Sequence, residues 1–140
     1  MFERFTRDAR RVVVQAADVE AAALGAQTVE AEHLLLALSD TIGVAHATLV
    51  EALEAETAAS LDAVGVVLRP PPPAPRRGSL RMGASAKLAL HRSLQAALAR
   101  KDRRIGAEHL ALGVLQAEVG TVPRALALAG LDREALAAGL

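Results

Sequence analysis

The feature that most constrains the fold is an internal duplication. The segment Ala31-Glu32-His33-Leu34-Leu35-Leu36-Ala37-Leu38 recurs as Ala107-Glu108-His109-Leu110-Ala111-Leu112-Gly113-Val114-Leu115, 76 positions later. Ala9 corresponds to Ala86, and Gly43-Val44-Ala45 to Gly120-Thr121-Val122, at an offset of 77. One loop therefore differs by one residue. Two copies predict a duplicated unit packed about a pseudo-twofold axis and are too few for a solenoid. Between them lies Pro70-Pro71-Pro72-Pro73-Ala74-Pro75-Arg76-Arg77-Gly78-Ser79. Consecutive prolines cannot continue a helix and favour an extended conformation. The expected organisation is a first repeat over 1–69, a linker over 70–81 and a second repeat over 82–140. A chain of 140 residues suits one compact domain holding both.

What fills the core follows from composition. Hydrophobic residues make up 52% of the chain, yet it has two Phe and no Trp or Tyr. The core must be built from Ala, Leu and Val, and Ala and Leu favour closely packed helices over a β-sandwich. An all-α fold of about eight helices, four per repeat, is expected. The first helix runs from about 6 to 24, with Thr6 as N-cap, Asp8 in its first turn and Gly25 as its stop. Phe5, Ala9, Val12, Val13, Ala16 and Ala23 fall mostly on one face of it. The others span about 30–38, 44–55, 58–67, 84–100, 106–117, 122–129 and 131–138. Pro123 suits the first turn of its helix, and Asp132 the start of the last.

The sequence offers little catalytic chemistry. Cysteine is absent, which excludes disulfides, thiol nucleophiles and thiolate metal sites. There is no phosphate-binding glycine loop, no dinucleotide fingerprint and no Gly-x-Ser-x-Gly turn. The four histidines, His33, His46, His91 and His109, form no His-Glu-x-x-His motif. His33 and His109 recur through duplication, and packed structural histidines are the simpler reading of them. No metal, cofactor or enzymatic activity is expected. Glu32 and Glu108, near the starts of equivalent helices, could each accept two hydrogen bonds from a guanidinium. On residue chemistry alone the simpler reading is that each caps its own helix or pairs with a nearby basic residue.

Charge is distributed unevenly. Residues 1–69 hold 11 Asp/Glu against 5 Lys/Arg, and residues 70–140 hold 5 against 11. Mutually attracting or simply solvated faces account for this, and a surface that steers charged partners is the sharper reading. The basic clusters lack aromatic residues for base stacking, so no nucleic-acid partner is expected. No apolar stretch is long enough to span a membrane, and no signal peptide opens the chain. A cytoplasmic monomer is the expectation.

The opening Met1-Phe2-Glu3-Arg4-Phe5-Thr6-Arg7-Asp8-Ala9-Arg10-Arg11-Val12-Val13-Val14 resembles the start of the amino-terminal domain of ClpC-type unfoldases. The Glu-His-Leu segments at 32–34 and 108–110, and Gly-Val-Ala at 43–45, are similar to that family's repeat. The resemblance implies two pseudo-symmetric four-helix repeats that receive substrate or adaptor proteins for an ATPase ring, in some members proteins marked by arginine phosphorylation. It implies two pockets that pair a threonine with the repeat Glu: Thr6 with Glu32, and Gly83, where a threonine is usual, with Glu108. It also implies a surface for cyclic peptide antibiotics at Phe2, Arg10, Val13, Val14, Lys87, Leu94 and Leu98. Met82 stands there for an aromatic and His91 for an acid. The competing assignment for Phe2 and the valines is helix packing. The four-proline linker, Gly83 and His91 depart from the ring-attached pattern and point to a free-standing paralogue, for which a decoy role against such antibiotics is the alternative function.

Overall fold

The computed structural model describes residues 4–65 and 81–140. Phe2 and nearly all of the expected linker, 70–81, lie outside the described residues. The elements are α1 (Arg7–Arg11), a π-helical turn (Val12–Ala16), α2 (Ala17–Ala23), β1 (Thr28–Val29), α3 (Ala31–Ala37), α4 (Ser39–Ile42) and α5 (His46–Ala63). The second half holds β2 (Arg81–Met82), α6 (Ala84–Ala99), α7 (Ala107–Leu115), α8 (Thr121–Leu128) and α9 (Arg133–Ala138). With α1, the π turn and α2 taken as one rod, the described residues form eight helices, as the duplication predicts.

The first rod begins where Thr6 Oγ1 accepts a hydrogen bond from the Ala9 N–H at 3.2 Å. It ends before Gly25, whose φ of 71° is a conformation glycine adopts without steric cost. The π turn holds one extra residue per turn. Adjacent Val12 and Val13 are both buried there, while Val14 stays exposed.

Division of the first half differs from expectation. The helices expected over 44–55 and 58–67 are one helix, α5, through Ala63. Nothing between Ala55 and Ala58 breaks a helix: Glu56 and Thr57 lack the fixed φ of proline and the backbone freedom of glycine. The break falls instead at Leu38, after which α4 makes a single turn closed by Gly43 at φ 73°. In the second half Asp132 caps α9 through a 3.0 Å hydrogen bond from the Glu134 N–H.

One core runs through both halves. Leu34, Leu35, Leu36, Leu38 and Leu49 pack with Leu110, Leu115 and Leu126, and alanines at 9, 17, 21 and 86 are fully buried. Small side chains bring backbones close. The tightest approach is α6 on α7, where a Cβ on Gly113 would collide with the Ala89 carbonyl oxygen and Ser93 Oγ. Ser93, buried at that contact, donates to the Ala89 carbonyl at 2.7 Å.

Candidate functional site at the two seams

Extended segments, too short to read from sequence, bring the two halves together. β1 pairs in parallel with β2, Thr28 opposite Arg81 and Val29 opposite Met82. The Gly83 N–H then donates to the Val29 carbonyl at 2.8 Å. At the pseudo-equivalent place Phe5 bridges Ile105. There the Ile105 N–H donates to the Arg4 carbonyl at 2.8 Å, and the Thr6 N–H to the Ile105 carbonyl at 2.9 Å. Each seam thus joins the entry of one half's first helix to the entry of the other half's second helix.

This crossing corrects the pairing implied by resemblance. Thr6 lies beside Ile105 and Gly106, at the head of the helix that carries Glu108. Gly83 lies beside Val29 and Glu30, at the head of the helix that carries Glu32. Thr6 and Gly83 thus each stand at the head of the opposite half's second helix. The physical reason is that each entry segment satisfies its backbone hydrogen bonds on the opposite half.

At the first seam the Gly106 N–H donates to His109 Nδ1 at 2.9 Å, which places the ring proton on Nε2, 2.7 Å from Asp102 Oδ2. The Glu108 carboxylate folds over Gly106, whose Cβ, if present, would lie 2.6 Å from Oε2. The Glu108 side chain remains 48% exposed. At the second seam the Glu30 N–H donates to His33 Nδ1 at 2.8 Å. Both repeat histidines are therefore buried structural groups that tie down a helix start. Ser85 Oγ accepts from the Ala31 N–H at 2.9 Å and donates to Glu30 Oε2 at 2.7 Å. The Glu30 carboxylate fills the space directly over the Gly83 Cα.

Beside the second seam opens a cavity of about 410 Å³. Its walls include Leu88, Val114 and Val122, and its charged groups are Glu30, Glu32, Glu118, Arg92 and Arg124. Burial pushes the Glu32 carboxyl above its ordinary value, and the neighbouring acids Glu30 and Glu56 push the same way, against a hydrogen bond from the backbone. Glu32 has no cation partner among the described residues. Arg124 is held from behind: its Nε donates to Glu56 Oε1 at 2.8 Å, and Ser60 Oγ donates to the same oxygen at 2.7 Å. Burial alone would raise Glu56, but these two hydrogen bonds and the guanidinium charge hold it below its ordinary value. Burial likewise lowers His33, offset in part by Glu30 and Glu20.

The expected apolar peptide surface divides. Val13 is a core residue, 3% exposed, and its place on that surface is corrected: the π turn points it inward. Met82 and Leu94 are half-buried and pack on the core. Arg10, Val14, Lys87, His91 and Leu98 are exposed. Residues that sequence reasoning missed are Glu30, Ser85, Arg92, Glu56 and Arg124. Of these only Ser85 carried a signal, standing at the offset of 77 from Asp8. No group of three metal-ligating side chains occurs among the described residues, and none of their helices is long and apolar enough to cross a membrane.

Known proteins resemble this architecture. The amino-terminal domain of the caseinolytic protease associated chaperone ClpD from Arabidopsis thaliana superposes with a TM-score of 0.73 at 22% identity, covering 99% of this chain and 92% of that one. The Hsp104 amino-terminal domain from Candida albicans gives 0.63 at 16%, covering 97% and 88%. The family model described as the Clp repeat (R) N-terminal domain matches residues 4–128. Joined to the duplicated Glu-His-Leu segments and the two reciprocal seams, that match establishes that the chain belongs to the Clp repeat N-terminal domain family.

Proposed function

We propose that this domain is a non-catalytic receptor for protein segments in a Clp-type unfoldase–protease system, taking substrates or adaptors through their arginine side chains, phosphorylated arginine among them. The observation that carries the reading is Glu32, a desolvated carboxyl that lines a 410 Å³ cavity and forms no ion pair among the described residues. A planar guanidinium supplies two charge-assisted hydrogen bonds to such a group. Glu108 offers the same chemistry at the first seam, with the Thr6 hydroxyl near. Calorimetric titration with arginine and phosphoarginine tests the reading. Binding that the double variant Glu32→Ala, Glu108→Ala abolishes is the expected result; binding indifferent to both substitutions defeats it.

A second reading is a decoy for cyclic peptide antibiotics. Exposure of Val14 and Leu98, at 45% and 57%, favours it, with Arg10, Lys87 and His91 also exposed. Leu98→Asp is expected to weaken capture of such a peptide at least tenfold, measured by fluorescence anisotropy. Undetectable binding to the unmutated chain defeats this reading and leaves the first intact.

A further inference from the structure

We propose that Glu30 sets the specificity of the two seams: the Glu32 cavity accepts an unmodified guanidinium, and the Thr6–Glu108 seam accepts a phosphorylated one. This inference rests on the arginine-binding reading above.

The seams are built alike but furnished in opposite ways. Thr6 and Gly83 are the N-caps of corresponding first helices, and Glu30 and Gly106 those of corresponding second helices. Each seam holds one cap with a side chain and one glycine, Thr6 beside Gly106 and Glu30 beside Gly83. The Glu30 carboxylate occupies the volume that a side chain at 83 would need. Ser85 Oγ fixes it at 2.7 Å, with Thr28 Oγ1 at 3.4 Å. Each seam has its repeat carboxylate, Glu108 or Glu32; beside it the first presents the Thr6 hydroxyl and the second a further carboxylate, Glu30.

That exchange inverts the electrostatics. The Thr6 oxygen accepts from the Ala9 N–H, which leaves its proton to donate to an anion. Ionised Glu30 has no proton to donate and carries negative charge. It already occupies the mouth of α6, where a helix start favours an anion. A phosphate, with a charge of about −1.5 to −2 at pH 7, would meet like charge in the same volume. A bare guanidinium meets attraction from both Glu30 and Glu32 in a cavity whose acids, Glu30, Glu32 and Glu118, outnumber its cations, Arg92 and the Glu56-paired Arg124.

Amide resonances of the unmutated chain report the two seams separately. Phosphoarginine is expected to shift Thr6, Gly106 and Ala107 and to leave Ala31, Ser85 and Ala86 in place, while arginine shifts the second set. Equal shifts at both seams with phosphoarginine, or shifts confined to the second, overturn the proposal. Absence of any shift with either probe overturns the arginine-binding reading itself and this proposal with it. The double variant Glu30→Gly, Gly83→Thr copies the first seam into the second. Calorimetry is expected to give one phosphoarginine per chain before and two after. A stoichiometry that stays at one in the folded variant also overturns the proposal.

Discussion

Glu32 carries a stability cost that its position explains. Its folded-state carboxyl titrates above the ordinary 4.5, with burial as the main cause. Any stability tied to the protonated form is fully present below 4.5 and is lost as pH rises through the raised value. Glu32→Gln is therefore expected to raise the urea midpoint at pH 7 and to leave it unchanged near pH 3. An equal effect at both pH values would contradict the desolvation argument. The same substitution is expected to weaken guanidinium binding, so this position gains affinity at the expense of stability. Glu56 has the opposite sign. Its lowered carboxyl contributes stability above 4.5 that is lost as pH falls through the folded value. Arg124→Ala leaves that buried carboxylate with Ser60 alone and is expected to cost about 1–3 kcal/mol, read from equilibrium unfolding at pH 7. Some of this was legible at the residue scale. The Thr6 cap and the structural roles of His33 and His109 depend on neighbours within a few positions. Glu56 with Arg124 was not legible, because the pair spans 68 positions and no local pattern encodes it.

At the scale of elements, the α6–α7 contact sets the most specific demand. Gly113 lies against the Ala89 carbonyl and Ser93, and the Ser93 N lies 2.9 Å from where a Cβ would stand. Gly113→Ala gains helix propensity, which alone would stabilise by roughly 1 kcal/mol. Overpacking against a rigid backbone costs about 1–3 kcal/mol and is expected to win. A lowered melting temperature in thermal denaturation is the expected outcome, and a raised one would show that the helices separate freely. The period of apolar residues located the first rod, and the duplication located the helices of the second half. The α5 boundary was misplaced although Ala55, Glu56 and Thr57 carry no helix breaker, and the helix runs through them packed against α8. The π turn was equally invisible: Val12, Val13 and Val14 fit a regular helix in sequence.

For the whole molecule, the reciprocal seams make each half a partner the other needs. Phe5 reaches Ile105, Val29 reaches Met82, and the leucine core is continuous across both. A half of about 70 residues falls in the size range where a single core supplies little stability of its own. Residues 1–69 and 70–140 produced as separate polypeptides are expected to be largely unfolded alone and to recover native helicity on mixing, followed by circular dichroism. Native helicity in either segment alone would contradict this. Opposite net charge in the two segments favours the encounter, and the recovery rate should fall as salt is raised.

What the sequence determined by itself was whatever is written locally or twice. The repeated Glu-His-Leu segments marked equivalent helices. Near-absence of aromatics demanded a core of Ala, Leu and Val, and with them a helical fold. These signals survive in one dimension because helix formation and capping act over three or four residues. What only the tertiary structure decided was which residues meet. A two-residue strand pair and a single bridge carry no readable period, yet they cross the halves and set Thr6 beside Ile105 and Gly83 beside Val29. With that crossing Glu30, unremarkable in the sequence, takes the place a side chain at Gly83 would fill and makes the two duplicated seams chemically unlike.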